Sequence, residues 1–298
     1  MRKKTKITLL VVAAVLLVLI VGIAIYLGIY YRADDTALAA LASDDVVRVN
    51  QKEQYVSFEP EEPEVGLIFY PGGKVEHTAY APLMRALAER GVLCVVVEMP
   101  FRLAVFDVNK ADCVRGDFPQ IRCWYMAGHS LGGSMAANYV ANHSDSFQGL
   151  ILLAAYSTTD LSGSGLDVLS VFGDQDEVMN RKKYEKYRGN LPADMDERII
   201  SGGNHAQFGS YGPQSGDGEA RITAQEQVQI TADLIVEFMN IKARTVWSGL
   251  CAFRGIRYAF FFRTTKATAT ASTATTAIAI IQIKELLLSS QSSQGSEG

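Results

Sequence analysis

A serine held between small residues is the first feature with a chemical consequence. Gly128-His129-Ser130-Leu131-Gly132-Gly133 follows the apolar run Trp124 to Ala127 and opens a helix-compatible stretch from Leu131 to Asn142. In such a G-x-S-x-G turn the glycines admit a tight strand-to-helix reversal that bulkier neighbours would block, and the turn lifts the hydroxyl clear of the sheet. An un-ionised serine is a poor nucleophile. It needs a base within hydrogen-bond reach, and imidazole suits that role near neutral pH. The chain has four histidines, at 77, 129, 143 and 205. His129 sits inside the turn, His77 precedes the serine, and His143 closes the helix that the serine opens. His205 follows the strand-like Arg198 to Ser201 through Gly202-Gly203-Asn204, at a strand's carboxyl end, where the sites of parallel sheets gather. A carboxylate must hold the imidazole in the right tautomer. Asp160, Asp174 and Asp176 all follow apolar runs and are open to that role on position alone. An oxyanion needs preorganised N–H donors, and two places supply them. One is the N–H of Leu131 at a helix start; the other is the loop Gly72-Gly73-Lys74, with Gly73 as the expected donor and Lys74 as the alternate.

The elements that must position these residues alternate in type. The apolar run Val65 to Tyr70 is followed by a helical stretch Tyr80 to Arg90 and the run Val92 to Glu98. A helix-compatible segment Leu103 to Val114, the strand Trp124 to Ala127 and the helix Leu131 to Asn142 come next. Strands Leu150 to Ala155, Val168 to Phe172 and Arg198 to Ser201 follow, and an amphipathic helix Thr223 to Ile241 carries Val228, Ala232, Ile235 and Phe238 on one stripe. Strands that alternate with helices predict a parallel sheet covered on both faces, and continuous apolar runs fit strands buried on both sides.

These pieces resemble the α/β-hydrolase family over residues 51–243. The likeness is greatest to its small lid-less, dienelactone-hydrolase-like members, through Tyr70-Pro71-Gly72-Gly73, the Gly128 to Gly133 turn, Gly173-Asp174-Gln175-Asp176 and Gly203-Asn204-His205. The resemblance implies the α/β-hydrolase fold, a mostly parallel sheet with helices on both faces. It also implies Ser130 as nucleophile, with acid and histidine following in that chain order. His129 then points away from the reaction and His205 is the base. Gly173-Asp174-Gln175-Asp176 matches the family's Gly-x-x-Asp, whose last residue is the acid, so Asp176 takes the role. Asp174 becomes a turn residue and Asp160 a solvated or capping carboxylate. The implied activity is cleavage of a carboxylic ester or related acyl bond through an acyl-enzyme on Ser130, with neither metal nor organic cofactor. Two other functions suit the same residues: a noncatalytic ligand-binding protein that keeps the fold, and an acyltransferase with an alcohol or amine acceptor. Only Tyr156 to Asp167 separates the two strands between which large lids enter, so a compact open cleft for small or flexible acyl substrates is expected.

Arg2, Lys3, Lys4 and Lys6 precede an uncharged stretch from Ile7 to Tyr31. At about 1.5 Å per residue that stretch covers roughly 37 Å as a helix, more than a hydrocarbon layer of about 30 Å. A cleaved signal peptide would have a shorter apolar core and a small-residue cleavage site. The expected organisation is therefore a cytoplasmic 1–6, a membrane anchor 7–31 in contact with lipid, a linker 32–50, the hydrolase domain 51–243 and a low-complexity tail 244–298. The basic start places the catalytic domain on the extracytoplasmic side of the cell membrane, with Tyr26, Tyr30 and Tyr31 as an interfacial belt. A net charge of −4 offers no basic field for DNA or RNA phosphates, which argues against nucleic acid as a partner. Cysteines at 94, 113, 123 and 251 have no CxxC spacing; Cys94 reads as a buried small hydrophobe, and Cys113 with Cys123 is a candidate pair in an oxidising compartment.

Overall fold

A computed structural model gives the architecture for residues 3–250. Eight strands form one sheet: β1 Val47–Gln51, β2 Tyr55–Pro60, β3 Val65–Tyr70, β4 Val92–Val97, β5 Cys123–His129, β6 Gly149–Leu153, β7 Asp167–Gly173 and β8 Asp196–Ile200. Their spatial order is β1-β2-β4-β3-β5-β6-β7-β8. The β1–β2 and β2–β4 pairs are antiparallel and every other pair is parallel. The helices are α1 Lys3–Gly28, α2 Asp35–Ala39, α3 Ala81–Ala88, α4 Asp112–Arg115, α5 Leu131–Ala141, α6 Arg181–Tyr187 and α7 Ala224–Leu250.

The apolar runs are two-sided because each strand feeds two cores in alternation. Leu67 and Phe69 of β3 pack into one cluster with α3 and with Val228, Ala232, Ile235 and Phe238 of α7. Ile68 and Tyr70 of the same strand pack into the other, against Ala136, Ala137 and Val140 of α5. Each such fully buried aliphatic or aromatic side chain contributes roughly 1.5–3 kcal/mol. The parallel arrangement brings the carboxyl ends of β3, β4, β5, β7 and β8 to one rim of the sheet, which is where the chemistry-bearing loops emerge.

Two stretches differ from expectation. Residues 32–50, expected as a linker, hold α2 and the edge strand β1, and their carboxylates are local caps. Asp34 accepts from the N–H of Ala37 (2.9 Å), and Asp44 from those of Val46 (2.9 Å) and Val47 (2.8 Å). The segment Leu103 to Val114, expected as a helix, is a 3-10 turn at Ala104–Phe106 followed only later by α4. Tyr70 from β3 causes this: its hydroxyl accepts from the N–H of Ala111 (2.9 Å) and donates to the carbonyl of Val108 (2.6 Å), satisfying backbone groups that a helix would have used. Residues 154–166 join β6 to β7 by turns, without a helix. Cys94, Cys113 and Cys123 are free thiols, so the candidate Cys113–Cys123 pair does not form. Cys251 and residues 251–298 of the expected tail lie outside the described residues.

Candidate active site

Ser130 stands at the turn between β5 and α5 with φ 52° and ψ −123°. A left-handed backbone at a non-glycine residue costs about 1–3 kcal/mol and persists only where its surroundings enforce it. Here the enforcement is visible. A Cβ on Gly132 would run into the carbonyl oxygens of Tyr70 and Pro71, and one on Gly128 would lie 2.6 Å from the backbone of Gly132 and Gly133. The end of β3 thus crosses the start of α5 so closely that only glycine fits. The strained conformation also turns the serine side chain away from its own helix: although Ser130 occupies the N-cap, its hydroxyl makes no capping hydrogen bond. Its N–H donates to the carbonyl of Leu153 (2.9 Å), which ties the turn to β6.

His205 and Asp176 come together from loops 29 residues apart. Nδ1 of His205 lies 2.9 Å from Oδ2 of Asp176, and the two side chains are 2% and 0% exposed. The other carboxylate oxygen, Oδ1, accepts the N–H groups of Val178 (2.9 Å) and Met179 (2.8 Å). The loop carrying the imidazole is pinned by Asp217, which accepts from the N–H of Ala206 (2.8 Å) and that of His205 (3.3 Å). The remaining two carboxylates are elsewhere. Asp174 is exposed and accepts from the N–H of Gly202 (2.7 Å), while Asp160 is exposed and caps the turn at Ser162. Hydrogen bonds hold both carboxyls below their usual range, from the Gln175 side chain first at Asp174 and the Ser162 hydroxyl first at Asp160. Among the described residues no hydrogen bond joins Ser130 Oγ to His205. The imidazole is nonetheless next to the elbow, its ring centroid 4.5 Å from that of His129, the residue before the serine.

His129 and Tyr80 form a buried support that sequence reasoning did not find. The N–H of Gly72 donates to the Tyr80 hydroxyl (2.9 Å), and that hydroxyl lies 2.8 Å from Nδ1 of His129. The phenol, accepting from Gly72, has its proton free to give to the imidazole. Burial, and then the neighbouring His205, depress the pKa of His129 well below the histidine range, so it stays neutral as this bond requires. The loop Gly72–Lys74 is therefore tied to the elbow through the Tyr80 hydroxyl. In that loop nothing among the described residues accepts from the N–H of Gly73, whereas the N–H of Lys74 is engaged by the carbonyl of Arg102 (2.8 Å). Lys74, the alternate donor, is thus occupied, and its Nζ lies over the Tyr26 ring, 3.9 Å from the centroid. A Cβ on Gly73 would meet the Leu131 side chain at 2.9 Å, so the loop carrying Gly73 packs directly on the first residue of α5. Leu131 opens α5, whose first N–H groups have no partner within the helix. His77 and His143 lie apart: burial lowers the pKa of His77, and His143 stacks on Tyr139 with centroids 4.1 Å apart.

Comparison with known proteins bears on the fold. The family model described as "Alpha/beta hydrolase family" matches residues 66–229. No curated protein matches the chain. Among solved structures, a carboxylesterase structure from the thaumarchaeon Nitrososphaera gargenis is 11% identical, with 67% of this chain and 99% of that one covered and a TM-score of 0.50. Est1E from Butyrivibrio proteoclasticus is 14% identical, with 66% and 100% covered and a TM-score of 0.48. Naproxen esterase from Bacillus subtilis is 11% identical, with 69% and 95% covered and a TM-score of 0.49. At these identities the likeness is one of fold.

Proposed function

Because the chain belongs to the alpha/beta hydrolase family, we propose that it is a membrane-anchored serine hydrolase that cleaves carboxylic esters through an acyl-enzyme on Ser130. The observation that carries this reading is the buried His205–Asp176 pair beside the strained elbow of Ser130. Such a pair costs desolvation and loop order, and the protein keeps it at the rim where β5, β7 and β8 end.

In the proposed reaction Ser130 Oγ attacks the acyl carbon while His205 Nε2 takes its proton. The hydrogen bond between them forms in the substrate complex, since catalytic hydrogen bonds are often long in the free enzyme. Asp176 stabilises the imidazolium. The tetrahedral oxyanion is met by the N–H groups of Gly73 and Leu131, the latter also favoured by the positive end of α5. Collapse breaks the bond to the leaving oxygen, which receives the proton from His205 and departs as alcohol. Water then attacks the acyl-Ser130 carbonyl, gives a proton to His205, and the carboxylic acid leaves as the serine is reprotonated. The small or flexible acyl substrate expected from the short β6–β7 connection belongs to the same reading.

The anchoring is supported by α1, in which Leu10–Gly28 has a mean hydropathy of 3.2 and no buried residue. The basic residues before it favour a cytoplasmic amino terminus, which puts the sheet domain outside the cytoplasm. The test is a fluorophosphonate probe on full-length protein. Covalent labelling that Ser130→Ala abolishes is the expected result; an unlabelled, folded wild type would leave a ligand-binding protein in its place.

A further inference from the structure

The anchor does not hang free of the candidate site. Just past α1, the backbone of Tyr31 pairs with the loop after β3: its N–H donates to the carbonyl of Lys74 (2.8 Å), and its carbonyl accepts from the N–H of Glu76 (2.9 Å). Asp34 donates its N–H to the carbonyl of Ser210 (2.9 Å), and the Tyr31 ring lies 5.4 Å from that of Tyr211. The exit of the anchor is therefore stitched between the loop carrying Gly73 and the loop that follows His205. Both loops that flank the site are thus in contact with the segment that leaves α1.

The turn after β4 lies alongside the anchor. Phe101 and Arg102, with Ile20, Ile23, Ala24, Leu27 and Gly28, line an open groove of about 470 Å³. Phe101, Val105 and Phe106 are 56%, 48% and 58% exposed, a concentration of large apolar side chains on one short turn. The axial position of this turn decides what covers it. The apolar window Leu10–Gly28 has 19 residues, which as a helix rises roughly 28 Å and so fills a hydrocarbon layer of about 30 Å. A side chain beside Ile20 to Gly28 accordingly stands at the depth of the last stretch of that layer, not above it. Cations mark the boundary at the same level. Arg102 lies over the Tyr30 ring at 3.8 Å from its centroid, Lys74 over Tyr26, and Arg32 over Tyr30 at 5.5 Å, the combination of aromatic and basic groups suited to lipid headgroups. Asp107, the carboxylate next to Phe106, is paired with Lys110.

We propose that the turn 100–106 is seated in the bilayer beside the anchor, and that the site beneath it takes an acyl ester resident in the membrane. The first half rests on the anchor reading above and the second on the hydrolase reading. The turn connects directly to the site: the carbonyl of Arg102 holds the N–H of Lys74, and the Leu103 side chain would lie 3.6 Å from a Cβ at Gly73. An ester whose chain stays in the groove beside Phe101 thus lies next to the turn that packs on the loop carrying Gly73.

Full-length protein in vesicles of phosphatidylcholine and phosphatidylglycerol carrying spin-labelled acyl chains tests the seating. Phe101→Trp and Phe106→Trp should each show quenching beyond that of wild type, comparable with Leu27→Trp in the anchor. Quenching at position 27 alone would overturn the proposal, as would no quenching at all; cross-linking between copies through the turn without lipid quenching would assign the face to a second copy of the chain. The substrate half is read with Val105→Asp/Phe106→Asp, two exposed positions of the turn that do not line the groove. Turnover of a soluble short-chain ester should be unchanged, while turnover of a long-chain ester embedded in the same vesicles falls at least about tenfold. Equal turnover of the embedded ester by variant and wild type would overturn it. If wild type cleaves neither ester the hydrolase reading fails, and with it the substrate half, while the quenching still decides the seating.

Discussion

Replacing Asp176 by asparagine keeps the shape of the side chain and changes which atom faces His205. Oδ1 accepts two backbone N–H groups, from Val178 and Met179, and only an oxygen can continue to do so. The amide oxygen is therefore fixed on that side and the NH₂ group turns toward Nδ1 of His205. Nδ1 must then act as acceptor, and the ring proton moves to Nε2, where it blocks the uptake of the serine proton. The charge is lost as well. With N···O at 2.9 Å and both groups out of solvent, charge centres about 3–4 Å apart at an effective dielectric near 20 interact by roughly 4–6 kcal/mol. That corresponds to a fall of about 10³–10⁴ in kcat, of the size that loss of the tautomer-fixing carboxylate causes in serine hydrolysis generally. The assay is hydrolysis of a soluble chromogenic ester by wild type and Asp176→Asn, with thermal melts to show that the variant folds. A folded variant within about threefold of wild type would refute the assignment, and the same substitution at Asp160 and Asp174 should leave kcat unchanged.

Tyr80→Phe removes the hydroxyl shared by the Gly72 N–H and His129 Nδ1, leaving two buried groups unpaired; denaturant melts should show a loss of about 2–4 kcal/mol, and kcat should fall as the Gly73 loop loses its support. Gly132→Ala puts a methyl group against the Tyr70 and Pro71 carbonyls, and soluble folded protein should be lost, since relief requires separating β3 from α5. The depressed pKa of His129, and that of His77, give a pH dependence of stability. The unfolded chain takes up protons below about pH 6.5, while the folded chain takes them up only at lower pH. Stability is complete above that pH and falls as pH drops below it, by about 1.4 kcal/mol per unit for each fully excluded proton. Urea melts between pH 7 and 5 should show this slope, and His129→Gln should flatten it; an unchanged slope in both His129→Gln and His77→Gln would contradict the burial argument.

What the sequence determined by itself is whatever depends on neighbours along the chain. The apolar helix α1 is visible because its apolar length is uninterrupted, and the parallel sheet because strands covered on both faces have no polar alternation. The elbow is visible because two glycines must flank a serine where β3 crosses α5. The resemblance singled out Asp176 from three carboxylates, and the contacts supply a physical contrast among them: Asp176 is buried against His205, whereas Asp160 and Asp174 cap exposed turns. Tertiary structure alone decided the rest. Tyr80 and His129 are 49 residues apart and Tyr70 and Val108 are 38 apart, so no local pattern records either bond. The second of them withdraws from 103–114 the backbone partners a helix needs, which is why a helix-compatible sequence there becomes turns. The return of Tyr31 to Lys74 and Glu76 belongs to the same class. It is made by backbone groups whose position side-chain identity does not encode, and it is what joins the end of the apolar helix to the loop after β3 that carries Gly73.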